Sequence, residues 1–356
     1  MKISVVTVVY NGENSIERTI NSVLNQEEAD IEYIVVDGAS TDSTMDIVQK
    51  YKRDISHIVS EPDRGIYDAM NKGLKLANGD IVTFLNSDDW YEINVLKFIA
   101  DAFENRDIDI LCANARMIGE YGSWIRKAEL NRKNIIRQLP TSHQAIFATR
   151  RWFEKIGGFN TKYIVSADYE WVTRSIRGGC RIEMLPVLVV NFLLGGMSSK
   201  FAEINREEIR NIAMQYYTGT SLEKGMKRYY LFEDLLHKSR KEGNGFWDEF
   251  KAVLPANKNI FIFGAGKGGM NSYRLLEKLE YDVSGFIDNH VRNDQAKIEG
   301  KAIQLPKVLK AGRDFIVISS SRYKEDIKKQ LLEQGFREKY DFCTYDDIKD
   351  KIIYGE

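Results

Sequence analysis

The sequence has few cysteines, and their arrangement argues against two kinds of site. Cys112, Cys180 and Cys343 are the three cysteines among 356 residues, and no two of them form a CxxC pair. An odd and widely spaced set argues against a disulfide framework and against a thiolate metal site. We therefore expect a chain that works in a reducing, cytoplasmic compartment.

The chain also lacks an excess of charge of either sign. It has 51 Lys and Arg residues against 52 Asp and Glu residues, for a formal net charge of −1. A chain without a global positive field attracts polyanions poorly. We therefore expect no nucleic acid among its partners.

Long hydrophobic runs are missing as well. The longest apolar stretch covers residues 184–197 and is interrupted by Pro186 and Asn191, whereas a membrane-spanning helix needs about 20 apolar residues. The first residues run directly into a strand pattern, without the cleavage region of a signal peptide. The sequence therefore predicts neither a membrane-spanning helix nor a secretion signal.

Strand and helix patterns alternate in the first part of the chain, which predicts a mostly parallel sheet wrapped by helices. The predicted strands cover residues 3–9, 31–36, 55–59, 81–85 and 108–112. A charged, helix-prone stretch follows, and a second α/β pattern begins near residue 258. We therefore divide the chain into an α/β domain at 1–202, a helical connector at 203–255 and a smaller Rossmann-like α/β domain at 256–356.

Three motifs stand where predicted strands end or helices begin. They are VDGASTD at 36–42, DRGIYDAMNKG at 63–73 and FLNSDD at 84–89. In an open α/β sheet, ligands bind at the carboxyl ends of the strands. The motifs therefore predict one shared ligand site at that edge.

Together these motifs resemble the family 2 glycosyltransferases, which have the GT-A fold, a Rossmann-like mixed sheet. The resemblance covers about residues 1 to 200 and is strongest to bacterial members that build polysaccharides and cell-surface glycans. It implies an inverting, metal-dependent transfer of a sugar from a UDP-sugar to a glycan acceptor. It also implies a polyprenyl-diphosphate-linked acceptor and peripheral contact with the inner face of the cell membrane.

The resemblance places Asp37 on the uracil ring, with Thr7 flanking the base, while Arg64 and Lys72 neutralise the diphosphate at a helix amino end. The full set expected to bind the nucleotide sugar is Thr7, Tyr10, Asn11, Asp37, Ser40, Arg64, Gly65, Asn71, Lys72, Asn86 and Asp89. Each feature also has a structural explanation. Asp-Gly is a common turn pair, and single basic residues commonly lie on solvated helix surfaces.

The segment Asn86-Ser87-Asp88-Asp89 stands where the family has its Asp-x-Asp metal motif. A hard cation, Mn²⁺ or Mg²⁺, requires oxygen ligands and would bridge the two phosphates. Since the first acid is Asn86 here, the resemblance implies Asp88 as the direct ligand and Asn86 and Asp89 as supporting residues. A helix N-cap at Asp88 or Asp89 is the alternative, and it is compatible with metal binding.

One further carboxylate suffices for the chemistry, because a metal-bridged nucleoside diphosphate leaves without being protonated. The segment SADYEW at 166–171 resembles the family segment that supplies the catalytic aspartate, and this makes Asp168 the general base. An N-cap role for Asp168 is the alternative.

His143, which resembles a family position, and Trp171 are candidates to contact the acceptor, although a lone histidine or a tryptophan is often structural. The basic residues between 126 and 137 would attract a lipid diphosphate or anionic headgroups, or form a solvated face. These basic residues are Arg126, Lys127, Arg132, Lys133 and Arg137.

The second α/β segment contains GxGxxG after a strand and an acid further along. In this context the pattern favours a nucleotide held by Gly264, Gly266, Gly269 and Asp288. The segment also resembles small nucleotide-binding domains that precede some bacterial sugar acyltransferases. We expect a binding or scaffolding domain that forms a homodimer.

Two other functions fit parts of the sequence. The first is a nicotinamide-dependent sugar-nucleotide oxidoreductase or epimerase centred on the second domain. The second is a non-catalytic assembly protein, in which both domains bind nucleotides and Asp168 only caps a helix. The first domain carries more motifs than the second, and this favours the transferase.

Overall fold

The computed structural model describes residues 1–120, 122–236, 244–248, 250, 253–255, 257–291, 296–320 and 322–355. The chain forms two compact units, Met1–Glu223 and Lys224–Glu356. The boundary between them falls within the stretch that we predicted as a connector. Residues 237–243 of that stretch lie outside the described residues.

The described residues of the first unit contain nine strands, and these form one sheet. The strands are β1 Ile3–Val9, β2 Ile31–Asp37, β3 His57–Ser60, β4 Ile81–Asn86, β5 Trp90–Tyr91, β6 Ile110–Gly119, β7 Gly122–Arg126, β8 Ile146–Thr149 and β9 Ile182–Leu193. Their order is β3-β2-β1-β4-β8-β6-β9-β5, and β7 pairs with β6. The four strands β3, β2, β1 and β4 are parallel, whereas β8 is antiparallel to both of its neighbours.

The helices that cover this sheet follow the strands in the chain. They are α1 Ile16–Leu24, α2 Thr44–Lys50, α3 Ile66–Leu76, α4 Val95–Glu104, α5 Arg150–Ile156, α6 Ala167–Arg177, α7 Met197–Lys200 and α8 Ala202–Tyr217. Side chains from α1, α2 and α4 pack on one face of the sheet, and side chains from α3, α5, α6 and α8 pack on the other.

Apolar periodicity explains this packing. In α1, Ile16, Ile20 and Val23 are fully buried against the sheet, and burying each such side chain contributes about 1.5–3 kcal/mol. All seven residues of β1 are buried, because β1 lies between β2 and β4 with helices on both faces. A continuous β-branched run is typical of such a central parallel strand.

In the part of the second unit that the structure describes, six strands form a sheet that is accompanied by helices. Its strands are β10 Asn259–Phe263, β11 Val283–Ile287, β12 Lys297–Ile298, β13 Lys301–Gln304, β14 Asp314–Ile318 and β15 Phe342–Thr344. Its helices are α9 Glu223–Leu236, α10 Asn244–Asp248, α11 Lys267–Lys278, α12 Lys324–Glu333 and α13 Tyr345–Tyr354. The strand order is β12-β13-β11-β10-β14-β15, and β12 and β13 form the one antiparallel pair among the described strands of this unit.

The predicted fold class, a GT-A α/β domain followed by helices and a second Rossmann-like α/β domain, is confirmed. The apolar stretch at 184–197 forms most of β9 rather than a helix. Among the described residues no helix has the length and apolar character required to cross a membrane.

Candidate active site

The strand register brings two of the three motifs to the same edge of the sheet. Val9, the last residue of β1, pairs with Asp37 of β2, and Val8 pairs with Asn86 of β4. The end of β1 therefore lies directly between the aspartate of the first motif and the asparagine of the third. This is the juxtaposition that the parallel arrangement predicts.

Asp37 is fully buried, and its carboxylate is held by two serines. The Ser40 amide donates to Oδ2 at 3.1 Å, the Ser40 hydroxyl donates to Oδ1, and Ser60 Oγ donates to Oδ2 at 2.6 Å. These bonds fix the orientation of the carboxylate. The contact of Asp37 with a uracil ring stays a prediction, because the carboxylate is fully buried in the structure.

The loop that follows β1 is tied to the loop that follows β2. Asn11 N–H donates to Ser40 Oγ at 2.8 Å, and Thr41 N–H donates to Asn11 Oδ1 at 2.9 Å. Tyr10 lies in the same loop and is 64% exposed. Tyr10, Asn11, Asp37 and Ser40 are therefore gathered at one place, as the sequence predicts.

The second motif contacts the first through a glycine. A Cβ atom placed on Gly38 would lie 2.5 Å from Asp63 Oδ2, closer than any side chain tolerates. Asp63 Oδ1 in turn accepts a hydrogen bond from the Gly65 amide at 2.8 Å. Gly38 therefore lets the DRG turn approach the end of β2 without displacing the Asp63 carboxylate.

Two members of the predicted nucleotide set have their polar atoms engaged by the protein itself. Thr7 is fully buried, and its hydroxyl lies 3.1 Å from Tyr33 Oη. The Asn71 amide donates to Phe159 O at 2.8 Å and accepts from Phe159 N–H at 2.9 Å. The structure does not bring these two side chains to the sheet edge.

The two predicted diphosphate cations differ in their surroundings. The Arg64 side chain is 83% exposed and lies 3.3 Å from Asp68, beside Gly65 at the start of α3. Lys72 is mostly covered; it donates to Pro62 O at 2.7 Å and lies 2.9 Å from Glu61. The exposed Arg64 side chain can move toward a ligand, whereas Lys72 stabilises the DRG turn through its contacts with Pro62 and Glu61.

The two neighbouring acids of the third motif have opposite environments. Asp88 is partly exposed, and its carboxylate has no hydrogen-bond or ion-pair partner within the described ranges. Asp89 is 1% exposed; its carboxylate accepts from Leu193 N–H at 2.9 Å and from the Gln144 amide at 2.5 Å. This burial contradicts the predicted contact of Asp89 with the nucleotide sugar.

Burial, and then the negative charge of Asp88, raise the pKa of the Asp89 carboxyl well above its ordinary value. The two bonds that Asp89 accepts join the end of β4 to the end of β9 and to the segment that carries His143. The role that the structure supports for Asp89 is therefore to hold these three segments together.

Asp168 lies in the first turn of α6 and faces residues from two other elements. Its Oδ1 accepts from Tyr169 N–H at 2.7 Å and lies 3.1 Å from Tyr67 Oη. Its Oδ2 lies 3.3 Å from His143 Nδ1. The N-cap position itself is Ser166, so Asp168 is held by side chains as well as by the helix end.

His143 also reaches the metal motif. Its Nε2 lies 3.4 Å from Asn86 Oδ1. The imidazole therefore stands between the expected base, Asp168, and the end of β4.

Trp171 belongs to the core. It is 2% exposed, its ring centroid stacks 4.4 Å from that of Phe153, and its indole N–H donates to Gly157 O at 2.9 Å. The predicted stacking of an acceptor sugar on Trp171 is wrong, because neither face of the indole ring is exposed. Trp152 is 3% exposed and likewise lies in the core.

The glycine-rich turn of the second unit has the form expected of a nucleotide site. A Cβ atom on Gly269 would lie 2.0 Å from Gly264 O, so the third glycine is required for close packing of α11 on the turn. Asp288, at the end of β11, accepts from Ala265 N–H at 3.3 Å. Gly264, Gly266, Gly269 and Asp288 are therefore adjacent, and their role in binding stays a prediction.

Comparison with known proteins decides the family of the first unit. The model for glycosyl transferase family 2 matches residues 4–160. A PGL/p-HBAD biosynthesis glycosyltransferase of Mycobacterium tuberculosis is 31% identical over 211 residues, which cover 57% of this chain and 80% of the relative. The chain belongs to glycosyltransferase family 2.

Other similarities extend further along this family 2 glycosyltransferase. The chondroitin synthase of Pasteurella multocida is 22% identical over 97% of this chain, which spans 35% of that enzyme. The structure of S. aureus TarS 1–349 with UDP-GlcNAc gives a TM-score of 0.53 at 21% identity, over 80% of this chain and 84% of that one. The chain spans 46% of TarS in a second structure. At this identity TarS shows the fold. A model described as C2185-like, N-terminal matches residues 256–340.

The residues of the transferase fit a divalent cation of the kind that binds through substrate phosphates. Mg²⁺ and Mn²⁺ are commonly held by one or two carboxylates together with the phosphates of the substrate. Asp88 offers one carboxylate with no partner within the described ranges, and no cluster of three ligating acids or histidines occurs there. The donor set therefore suits a cation that arrives with a nucleotide.

Several residues of the site were not identified from the sequence. Tyr67 and Asp63 lie inside a motif that we quoted, but their partners are distant in sequence. Arg18 donates to Asp88 O at 2.8 Å from α1. Their place in the motif could have identified Tyr67 and Asp63 as site residues. No sequence pattern marks Arg18 as one.

Of the basic residues between 126 and 137, Arg126 turns inward. Its guanidinium donates to Leu139 O at 2.8 Å; burial lowers its pKa, and the Asp168 carboxylate opposes that effect. Lys127 and Arg132 are exposed. The run is therefore not a uniform solvated face, because one of its members faces the candidate base.

Proposed function

We propose that this chain is an inverting, metal-dependent glycosyltransferase that moves a sugar from a UDP-sugar to a glycan acceptor in bacterial polysaccharide biosynthesis. The observation that carries the proposal is the meeting of Asp37, Asp88 and Asp168 around the carboxyl edge of one sheet. Asp37 would supply a fixed hydrogen-bond acceptor for a nucleobase, and Asp168 a carboxylate for an acceptor hydroxyl. Asp88 would supply a cation with a carboxylate that has no partner within the described ranges.

The chemistry divides between two ends of the site. Mn²⁺ or Mg²⁺ held by Asp88 and the diphosphate would neutralise the charge of the leaving group. Asp168 accepts the proton of the acceptor hydroxyl as the acceptor oxygen attacks the anomeric carbon. A single displacement of this kind inverts the anomeric configuration.

The acceptor belongs to the proposal as well. Arg126, a cation near Asp168, and the exposed Lys127 and Arg132 favour an acceptor that carries negative charge. A polyprenyl-diphosphate-linked oligosaccharide has this charge, and it would place the enzyme at the inner face of the cell membrane. The second unit serves as a nucleotide-binding and dimerising domain.

Calorimetry with the full chain tests the nucleotide and metal parts. UDP, UDP-GlcNAc and NAD are titrated with and without Mn²⁺, and the titrations are repeated on Asp37→Asn and Asp288→Asn. We expect Mn²⁺-dependent UDP binding that Asp37→Asn weakens and Asp288→Asn leaves unchanged. NAD binding that depends on Asp288, without UDP binding, would assign the function to the second unit, as an oxidoreductase requires.

Transfer itself is tested with UDP-sugars and a lipid-linked diphosphate oligosaccharide. Product formation is followed by mass spectrometry, and the anomeric configuration by NMR. An α-linked product from an α-configured donor would overturn inversion. UDP binding without transfer to any glycan would favour the non-catalytic assembly protein.

A further inference from the structure

The proposed function leaves His143 without a role, although both of its ring nitrogens face groups of the site. Nδ1 lies 3.3 Å from Asp168 Oδ2, and Nε2 lies 3.4 Å from Asn86 Oδ1. We propose that His143 is a positioning residue for Asp168, an inference that rests on the proposed transfer reaction. It holds the Asp168 carboxylate for proton transfer and ties it to the strand end that precedes Asp88.

The hydrogen bonds of Asp168 show what His143 contributes. Oδ1 accepts from Tyr169 N–H at 2.7 Å and lies 3.1 Å from Tyr67 Oη, whose single proton also faces Val165 O at 2.6 Å. Within the described ranges His143 is the one group at ion-pair or hydrogen-bond distance from Oδ2, and the Arg126 guanidinium adds a longer-range positive charge. Oδ2 therefore keeps a lone pair for the acceptor proton, and His143 is the group that orients it.

The surroundings of the pair favour a protein donor on this side. The cavity beneath the pair has apolar walls, formed by Phe84, Ile146, Phe153, Phe159 and Val172 among others. Such walls offer no hydrogen bond to a carboxylate, and a buried polar group without a partner is costly.

Asn86 is suited to this arrangement. A neutral imidazole has one N–H group, and the partner of one nitrogen decides which nitrogen carries the proton. When Nδ1–H donates to Asp168, Nε2 must accept, and the Asn86 amide supplies a donor once its oxygen and nitrogen are exchanged. An aspartate at position 86 would require Nε2–H instead. The asparagine of this chain therefore matches a histidine that donates to the base.

Two conservative variants separate the two contacts of the ring. The amide of His143→Asn takes the approximate place of Nδ1, and that of His143→Gln takes the approximate place of Nε2. We expect His143→Asn to keep kcat within several-fold of wild type, whereas His143→Gln and His143→Ala lose about tenfold to a hundredfold, the scale of a misplaced catalytic group. The KM for the UDP-sugar should remain unchanged in all three.

A substitution at position 86 provides a second measurement that does not remove the histidine. We expect Asn86→Asp to lower kcat in the wild-type background and to add little in the His143→Ala background, because both changes act through the same ring. Thermal unfolding of each variant monitors folding, and calorimetry with UDP and Mn²⁺ monitors the nucleotide site.

The outcomes distinguish this inference from the function on which it rests. Equal kcat losses in His143→Asn and His143→Gln, or additive losses with Asn86→Asp, would overturn the positioning role. A raised KM with unchanged kcat would assign His143 to the donor. Absence of UDP binding and transfer in the wild type would instead overturn the proposed function, and the inference with it.

Discussion

Tyr67 Oη lies 3.1 Å from Asp168 Oδ1, although the two residues are 101 positions apart in sequence. The tyrosine belongs to α3, which follows the DRG turn, and the aspartate opens α6. Tyr67 also donates to Val165 O at 2.6 Å. Burial, and then the Asp168 carboxylate, raise the pKa of Tyr67 well above its ordinary range, so the group that braces the base is a neutral hydroxyl.

We expect Tyr67→Phe to lower both kcat and stability. The loss of the hydroxyl leaves the buried Val165 carbonyl without its donor, which costs about 1–3 kcal/mol of unfolding free energy. Asp168 loses one of the groups that orient it, so kcat should fall about tenfold or more. Urea unfolding and steady-state transfer assays measure the two effects.

Tyr91→Phe is the matched control for this change. Tyr91 is 3% exposed, and its hydroxyl contacts Thr83 Oγ1 at 3.2 Å rather than Asp168. It should lose stability without a comparable loss of kcat. Equal effects of the two substitutions on kcat would show that Tyr67 acts through stability alone.

Asp168→Asn should abolish transfer while UDP binding survives. The amide cannot accept the acceptor proton, and removing a general base costs on the order of 10²–10⁴ in rate. The nucleotide residues at the ends of β1 and β2 are separate from this position, so calorimetry with UDP should give the wild-type affinity. Asp101→Asn, an exposed carboxylate on α4 paired with Lys97, serves as the control. An active Asp168→Asn variant would remove the base assignment.

The sequence was sufficient to predict the elements and the edge at which they meet. Strand β1 was predicted with the bounds it has, because β-branched runs have few alternatives. Parallel pairing then placed Asp37 and Asn86 on either side of the end of β1. Contacts between residues of one motif follow from the spacing of those residues in the sequence. These features depend on local pattern and on sheet geometry.

The partners of individual side chains could not be predicted in this way. Trp171 and Asp89 each follow polar residues in a motif, yet both are buried. Trp171 packs on Phe153 and Phe159, and the end of β9 lies against Asp89. The same holds for the contact of His143 with Asp168. Burial is set by tertiary packing, which a motif does not encode.

Asp88→Ala should lose metal-dependent UDP affinity without loss of stability. The carboxylate has no partner within the described ranges, so its removal leaves no protein group unsatisfied. We expect the UDP affinity measured with Mn²⁺ to fall to the value measured without it, at an unchanged thermal midpoint. Unchanged affinity in the presence of Mn²⁺ would refute Asp88 as a ligand.

Asp89→Ala should give the opposite result. Leu193 N–H and the Gln144 amide would lose their acceptor in a buried place, which costs about 1–3 kcal/mol for each unsatisfied group. We expect a lower midpoint in urea for this variant than for Asp88→Ala. A midpoint equal to that of the wild type would show that the three segments are held together by other contacts.

The stability of the second unit should depend on pH through Asp341. This carboxylate is 1% exposed; it accepts from Lys258 Nζ at 2.6 Å and from Arg337 Nε at 3.0 Å. Burial alone would raise its pKa, but the bonds from Lys258 and Arg337 outweigh burial and lower the pKa to about 2. The folded chain therefore binds this proton less tightly than the unfolded chain does.

The contribution of Asp341 to the free energy of unfolding is therefore fully present above the ordinary aspartate pKa of 3.8, and it is lost as the pH falls toward about 2. The shift corresponds to about 2 kcal/mol at neutral pH. Asp341→Asn should destabilise β10 and β14 by at least this order at pH 6, and the difference from wild type should shrink between pH 5 and pH 3. Hydrogen exchange of peptides from the two strands, compared between variant and wild type at each pH, measures it. Asp282→Asn is the control: Asp282 forms an exposed pair with Lys301, so its loss should change the protection against hydrogen exchange little at any pH. If the difference in protection between Asp341→Asn and the wild type stays constant with pH, the pH dependence assigned to Asp341 is contradicted.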